Sequence, residues 1–409
     1  MIINDVKPKS VAIVCMTMLS AALDLLISYG TYKGEYEVKY FCDIYNNSIG
    51  ENFNGKEVVN LSKLKQDYDN NDIDVILVES SNAGVLPFKL LKDIGIDDKV
   101  YIVPPWFYDG AFDYVAVTEF KQTDEVPLSE ALIKADMNKA VLDFIGLFTN
   151  YHCNYSCKSC ITASPLAEVG FTTLESFVND IKRLSEIYWH ITRIRITGGE
   201  ALLHPDLIEI AKIARKAFPG AGIAIQTNAL MLLKKDNGLK DLYKTMRENN
   251  IGFQISVYKP IYEKRDILRE ELQSNGIQWS WGQISCEVVE YFDVWRELTP
   301  KNDEKEQYAI CRSMKNCHIL LDGYVYPCIM QMTSKNIEKY FSVEFEGFEE
   351  AMPKMRQNIY DTKMDGWELT EFLSSPNFAC KYCCINEQKN VKWEQYSAKN
   401  SKLSDYVLK

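Results

Sequence analysis

Eight residues, Cys153 to Cys160, constrain this chain more than any other stretch. They read CNYSCKSC, which sets Cys153, Cys157 and Cys160 at the spacing C-x3-C-x2-C. Three thiolates on one short loop can hold three corners of a four-iron cluster. No fourth cysteine stands beside them in the sequence. One iron would then stay open to a small molecule, as the open position of a catalytic zinc does. A zinc loop, or three unrelated thiols, is the rival reading. Zinc loops usually pair one C-x2-C with a second ligand pair, which this stretch lacks.

Composition narrows the class. The chain has 409 residues, enough for two or three domains, and its 46% hydrophobic and 25% charged residues are ordinary for a soluble globular protein. No run approaches the ~18 apolar residues of a membrane span, so none is expected. The opening MIINDVKPKS carries no apolar segment behind basic residues and is not a signal peptide. A formal net charge of −11 without a long Lys/Arg run argues against nucleic acid as the main partner. Twelve cysteines without an export signal read as metal ligands in a reducing cytoplasm rather than as disulfides.

Residues 1–120 alternate strand and helix patterns. Val11–Val14, Val38–Cys42, Asp74–Val78 and Val100–Val103 are short β-rich runs. Leu19 to Ser28 keeps helical spacing, with Leu19, Leu23, Leu26 and Ile27 on one face, and a second helix spans Pro87 to Ile94. Such alternation predicts a parallel, doubly wound sheet. Residues 121–140 are a connector that leads into a short helix.

A second alternating series covers 141–290. Val141–Leu147 is the strand that delivers the cysteine loop. Helices are expected from Thr172 or Thr173 through Leu184, over Pro205–Phe218, around Leu239–Glu248 and over Arg265–Asn275. Strands are expected at Arg193–Ile196, Gly222–Thr227, Gly252–Val257 and Gln278–Gln283. This is a partial (β/α)6 barrel of roughly six strands. Ligands of parallel βα barrels sit at the carboxyl ends of the strands. Gly198, Gly199, Glu200, Thr227, Asn228, Ser256 and Tyr258 all fall there. His152 reads as a loop histidine, because three cysteines suffice.

With these residues in view, the chain resembles the radical S-adenosylmethionine (radical SAM) enzymes. The likeness rests on Cys153, Cys157 and Cys160, then Ile196-Thr197-Gly198-Gly199-Glu200, Ile225-Gln226-Thr227-Asn228 and Gln254-Ile255-Ser256. It covers roughly residues 140–285. It implies a four-iron cluster that binds SAM and passes it one electron, giving a 5′-deoxyadenosyl radical. It also implies that Gly198, Gly199 and Glu200 border the SAM amino group, with Thr227, Asn228 and Ser256 near its carboxylate or ribose. A flavodoxin- or ferredoxin-type electron donor is implied as partner, and a cytoplasmic location. Ser159 departs from the pattern, since many members place an aromatic residue there beside the adenine.

The N-terminal 1–120 segment resembles the nucleotide-sugar-type Rossmann modules of bacterial polysaccharide-modifying proteins, through Phe41-Cys42-Asp43, Gly50, Gly55-Lys56 and Val100–Pro105. It lacks G-x-G-x-x-G. The first turn is instead Cys15-Met16-Thr17-Met18-Leu19-Ser20, whose side chains obstruct a pyrophosphate. The segment is expected to be Rossmann-like without binding NAD. Asp43 occupies the place of a ribose-binding acid, and an acid at a strand end is common.

Residues 291–409 change character. Asp322-Gly323 between β-rich runs is a hairpin signal. Cys311, Gly323 and Cys328, followed by Cys380-x2-Cys383, resemble the SPASM/twitch auxiliary-cluster proteins. That likeness implies a second [4Fe-4S] cluster on Cys311, Cys328, Cys380 and Cys383, with Cys317 the alternative to Cys311 and Cys384 left out. Zinc remains a rival for this site. The stretch also resembles radical SAM proteins of capsule or glycan modification, with Trp393 nearby. The expected function is therefore hydrogen abstraction from a sugar or sugar nucleotide, giving oxidation or epimerisation. A peptide substrate and a non-catalytic iron–sulfur or zinc protein are the alternatives.

Overall fold

A computed structural model of the chain describes residues 7–29, 34–79, 85–104, 128–234, 238–282, 288–311, 317–396 and 398–408. Pro105, the 121–127 part of the connector, Gln283 and Cys286 lie outside the described residues. The chain forms two compact units: Met1–Asp143 with Tyr188–Thr192 and Phe218–Gly222, and the remainder.

In the first unit, β1 (Lys9–Val14), β2 (Tyr36–Cys42), β3 (Asn52–Phe53), β4 (Lys56–Val59), β5 (Val75–Glu79), β6 (Val100–Val103) and β7 (Ile133–Lys134) make one sheet in the order β3-β4-β2-β1-β5-β6-β7. The five central strands pair in parallel, and β3 and β7 close the edges antiparallel. Taken in chain order, those five parallel strands run 3-2-1-4-5, the doubly wound arrangement expected from their alternation with helices. Val11 to Val14 are fully buried, as parallel strands covered on both faces must be. The helix Met18–Tyr29 buries Leu19, Leu23 and Ile27 against them, with Leu26 half-buried at its flank. The strand Lys56–Val59 and the helix Leu61–Asp69 escape the apolar pattern, because both are short and largely polar.

The turn after β1 is closed by its own side chains. Cys15 takes φ +74°, a left-handed conformation that the dinucleotide fingerprint gives to glycine. Thr17 and Ser20 then cap each other reciprocally, backbone N–H to side-chain hydroxyl, at 3.3 and 3.1 Å. Asp43 is equally committed: its carboxylate accepts the N–H groups of Tyr45, Asn47 and Ser48 at 2.7 to 2.9 Å.

The second sheet runs β12-β11-β10-β9-β8-β14-β15-β16, from β8 (Ala140–Phe148), β9 (Tyr188–Thr197), β10 (Gly222–Thr227), β11 (Ile251–Ile255), β12 (Trp279–Trp281), β14 (Ile319–Leu321), β15 (Tyr324–Tyr326) and β16 (Gln357–Asn358). Between them β13 (Tyr291–Val294) pairs antiparallel with β17 (Lys389–Lys392). Helices Leu174–Ile187, Leu207–Ala217, Lys240–Glu248 and Arg265–Ser274 follow the expected strand–helix rhythm. Five consecutive strands, β8 to β12, form the barrel-type part. The sixth neighbour, β14, comes from the C-terminal segment and pairs in parallel with β8. At Gly146 the two strands run close: a Cβ there would meet the movable Ile319 Cδ1 at 2.7 Å and the His318 carbonyl oxygen at 3.4 Å.

The Asp322-Gly323 hairpin forms as predicted, with both central residues at positive φ (+49° and +75°) and β14 paired to β15. The Gly323 N–H donates to Asp180 Oδ2 at 2.9 Å, which fixes the hairpin to the helix Leu174–Ile187. Beneath it, Phe345, Phe348 and Tyr382 pack edge-on or tilted at 5.1 to 6.0 Å. Each such pair adds about 0.5–1.5 kcal/mol beyond its buried area. Among the described residues no helix is long and apolar enough to cross a membrane.

Calorimetric titration of the protein with NAD or NADP is expected to show no heat of binding. Sub-millimolar affinity for either would refute this reading of the β1 turn.

Candidate active site

The cysteine loop leaves β8 at Thr149 and is tied at once to the turn after β9. Thr149 N–H donates to the Thr197 carbonyl at 2.8 Å, Gly199 N–H to the Asn150 carbonyl at 2.6 Å, and Glu200 N–H to the His152 carbonyl at 2.8 Å. The Asn150 side chain adds bonds to the carbonyls of His152 (2.8 Å) and Glu200 (3.1 Å). A Cβ on Gly198 would lie 2.5 Å from the Asn150 carbonyl oxygen, and one on Gly199 would lie 2.4 Å from that of His152. The paired glycines therefore let two backbones touch, where the sequence alone suggests only approach to a ligand.

Glu200 is buried and acts as a brace. Its carboxylate accepts from Thr227 Oγ1 (2.7 Å), Asn228 N–H (2.8 Å) and Leu202 N–H (3.1 Å). Burial pushes its carboxyl up to about 7, against the lowering effect of those three donors. Asn228 in turn donates to Asn154 Oδ1 at 2.7 Å and to Cys153 Sγ at 3.8 Å.

The other flank of the loop is held by residues far along the chain. Trp393 Nε1 donates to Cys157 Sγ at 3.3 Å, Lys158 N–H to the Glu394 carbonyl at 2.9 Å, and Tyr396 N–H to the Ser156 carbonyl at 2.8 Å. Tyr258 stacks on the Trp393 ring at 5.4 Å, and Tyr155 meets both edge-on.

All the barrel residues singled out in the sequence line one cavity of about 220 Å³: Cys153, Cys157, Cys160, Gly198, Gly199, Glu200, Thr227, Asn228 and Ser256. His152 does not; its ring packs on Phe171. Sequence reasoning put Tyr258 at this mouth but gave no place in the wall to Tyr155, Phe292 or Arg195, and it read Cys317 only as an alternative ligand of the second site. Tyr155, Tyr258 and Phe292 supply aromatic faces where Ser159 supplies none. Ser159 instead lies with Cys160 and Arg296 in a separate small cleft. Arg195 enters the wall stacked on Phe144, 4.9 Å from its ring centre, and pairs with no carboxylate among the described residues. Cys317 enters it too. An arginine two residues before Thr197 on an otherwise inward-facing strand position is the signal that was there to read.

A second cavity, of about 540 Å³, is lined by Cys311, Cys328, Cys380 and Cys383, together with Trp295 and Met330. Cys311 ends the helix Glu304–Ile310 and Cys328 caps the helix Ile329–Phe341, with its Sγ accepting from Met330 N–H at 3.5 Å. Cys380 and Cys383 sit on and just after the tight turn Phe378–Tyr382. Cys384 faces neither cavity.

Cys153 feels the nearby Cys160, Glu200 and Cys157, while Cys328 feels Cys317, Cys311 and Cys380. Burial pushes the Cys157 thiol up to about 12 and Cys380 up to about 11. Without a cation these thiols stay protonated, so a metal must displace their protons to bind. Among the described residues no three His, Cys, Asp or Glu side chains are arranged around the position of a single metal ion. A four-iron cluster is a larger body, and the thiols facing each cavity match its donor chemistry.

Residues 147–271 match the Radical SAM superfamily model, and the chain carries a radical SAM domain. Domains of this kind take a four-iron cluster and S-adenosylmethionine. Among its relatives, the GTP 3′,8-cyclase of Sulfurovum sp. (strain NBC37-1) is 30% identical over 108 residues, 26% of this chain and 33% of that protein. The GTP 3′,8-cyclase of Trichodesmium erythraeum is 29% identical over 147 residues, 34% of this chain and 43% of that protein. The chain thus spans about a third to two fifths of the length of these curated relatives. Among solved structures, BtrN in complex with AdoMet and 2-DOIA aligns over 66% of this chain and 99% of its own, at 16% identity and TM-score 0.35. Streptococcus suis SuiB bound to S-adenosylmethionine aligns over 57% and 69%, at 13% identity and TM-score 0.31.

Gly199→Ala is expected to push the Asn150–His152 segment out of place, because backbone atoms cannot yield as a flexible side chain does. Equilibrium dialysis with labelled SAM on the iron-loaded variant should show at least a tenfold loss of affinity, on the scale of about 1.4 kcal/mol per tenfold. Wild-type affinity would show that the glycine contact is dispensable.

Proposed function

We propose that this protein is a radical SAM enzyme that abstracts a hydrogen atom from a sugar or sugar nucleotide, with oxidation or epimerisation of the attacked carbon. One observation carries the radical SAM part of the reading: the three loop cysteines line the same cavity as Gly198–Glu200, Thr227, Asn228 and Ser256; the sugar part rests on the resemblance of residues 1–120 to nucleotide-sugar-type modules. When bound, the four-iron cluster and SAM supply a 5′-deoxyadenosyl radical that takes hydrogen from a substrate carbon. Cys153, Cys157 and Cys160 hold the cluster. Asn228 and Trp393 donate to two of their sulfurs, which tunes the ligands as outer hydrogen bonds do. Glu200 meets the SAM ammonium, whose charge would offset the burial that otherwise disfavours the ionised carboxylate. Tyr155, Tyr258 and Phe292 offer the adenine an aromatic wall. Arg195, which lacks a carboxylate of its own, suits a phosphate of the substrate.

Cys311, Cys328, Cys380 and Cys383 hold a second [4Fe-4S] cluster in this reading, and a flavodoxin- or ferredoxin-type protein supplies electrons. The C-terminal cavity supports Cys311 over Cys317 as the fourth ligand, because Cys317 faces the barrel mouth. That placement favours epimerisation. The hydrogen lost from one face of the carbon leaves in 5′-deoxyadenosine, and the Cys317 S–H returns one to the other face. The resulting thiyl takes one electron from the same one-electron donor and one proton from solvent, which restores the S–H.

Fully loaded protein should carry about eight irons, four per site, and the Cys153/Cys157/Cys160 triple alanine variant about four. Iron analysis and 5′-deoxyadenosine assays check both numbers. Undiminished SAM cleavage by the triple variant, or zinc in place of iron at its remaining site, would sink the assignment.

Incubation in D2O with SAM, dithionite and a panel of UDP-, GDP- and dTDP-hexoses should place one deuterium in the turned-over sugar. Cys317→Ser should still cleave SAM yet leave the sugar unlabelled. Full labelling in that variant removes Cys317 from the role.

A further inference from the structure

Between the two cysteine groups lies a buried cation that no carboxylate balances. Arg296 is 3% exposed. Its Nη2 donates to the Ile161 carbonyl at 3.2 Å and to Thr333 Oγ1 at 2.8 Å. Its Nε, equally buried, meets no acceptor. No ion pair among the described residues includes it. The small cleft around it also holds Asp293 and Asp405, neither within ion-pair distance of the guanidinium, whose carbon lies 5.6 Å from the Trp295 ring centre.

The position of this guanidinium is specific. Ile161, whose carbonyl it holds, directly follows Cys160. Its own backbone forms an antiparallel bridge with Cys383. The groups whose charge it feels are Cys328, Cys383, Tyr406 and Cys160. One arginine therefore touches the end of the radical SAM cysteine loop through Ile161 and the C-x2-C turn of the second site through Cys383.

Leaving a charge buried without a counterion costs several kcal/mol. Hydrogen bonds to a carbonyl and a hydroxyl satisfy part of the fork but bring no negative charge. Iron-bound thiolates do bring it, on both sides at once. We propose that Arg296 is the shared countercharge of the two cysteine sites: it keeps the reduction potentials of both clusters up by favouring the state with the added electron. Arg296 is a positioning residue, acting through the sulfurs rather than on the substrate. The inference rests on the reading that both sites hold iron.

The test uses the full chain, reconstituted anaerobically, as wild type, Arg296→Gln and Arg296→Lys. Iron is counted, and each site is titrated against potential by electron paramagnetic resonance. The same substitutions in the Cys153/Cys157/Cys160 triple alanine variant isolate the second site. Arg296→Gln should shift the reduced-to-oxidised ratio at fixed potential about tenfold toward oxidised at both sites, about 59 mV for a one-electron couple. Arg296→Lys keeps the charge and loses the planar fork, so its midpoints should stay within about twofold on the same scale. Should Arg296→Gln fail to hold iron, the Lys variant decides alone: a full tenfold fall there overturns the charge role. Unmoved midpoints in an Arg296→Gln protein with eight irons overturn this inference and leave the function standing. A wild-type chain that takes up iron at neither site overturns both.

Discussion

The site depends on a contact between two stretches of main chain. Asn150 to His152 and Gly198 to Glu200 lie so close that no side-chain carbon fits between them. Their N–H and carbonyl groups satisfy each other at 2.6 and 2.8 Å. Buried backbone groups must find partners somewhere, and here the partner is the strand turn that also bears Glu200. The cysteine loop is thereby registered against β9, and Glu200 extends the registration to the end of β10 through Thr227 and Asn228. Three strand ends are locked into one frame before any cofactor is considered.

The thiols stand in tension with that frame. Burial opposes their ionisation, most strongly at Cys153, Cys328 and Cys383. A bound metal cation would reverse that preference, because it stabilises thiolate far more than burial disfavours it. Asn228 donates to the Cys153 sulfur, the Trp393 indole to Cys157 and the Met330 N–H to Cys328.

Much of the architecture was legible because its signals are local. The runs Val11–Val14, Val100–Val103 and Gly222–Thr227 are short, β-rich and bounded by polar residues, and each forms the strand expected. Asp322-Gly323 declares its turn type through two residues that tolerate positive φ. The barrel-mouth residues were readable because strand ends share one side. What the sequence could not separate was Cys311 from Cys317, since both precede Gly323 at plausible distance. Tertiary pairing separates their surroundings: β14 enters the sheet beside β8 and carries the neighbouring Cys317 to the barrel mouth, while Cys311 ends a helix that faces the other cavity. The aromatic wall and Arg296 were invisible for a similar reason. Tyr258, Phe292 and Trp393 meet only after the chain has folded back across the loop, and an isolated arginine in a sequence carries no sign of its burial.

The bond from Trp393 to Cys157 spans 236 positions along the chain. During synthesis, at about 5–20 residues per second, the cysteine loop therefore emerges well over ten seconds before its far flank exists. For that interval Ser156 and Lys158 lack the backbone partners that Tyr396 and Glu394 later bring. The far flank of the loop is therefore the last part of its frame to be completed as the chain is made.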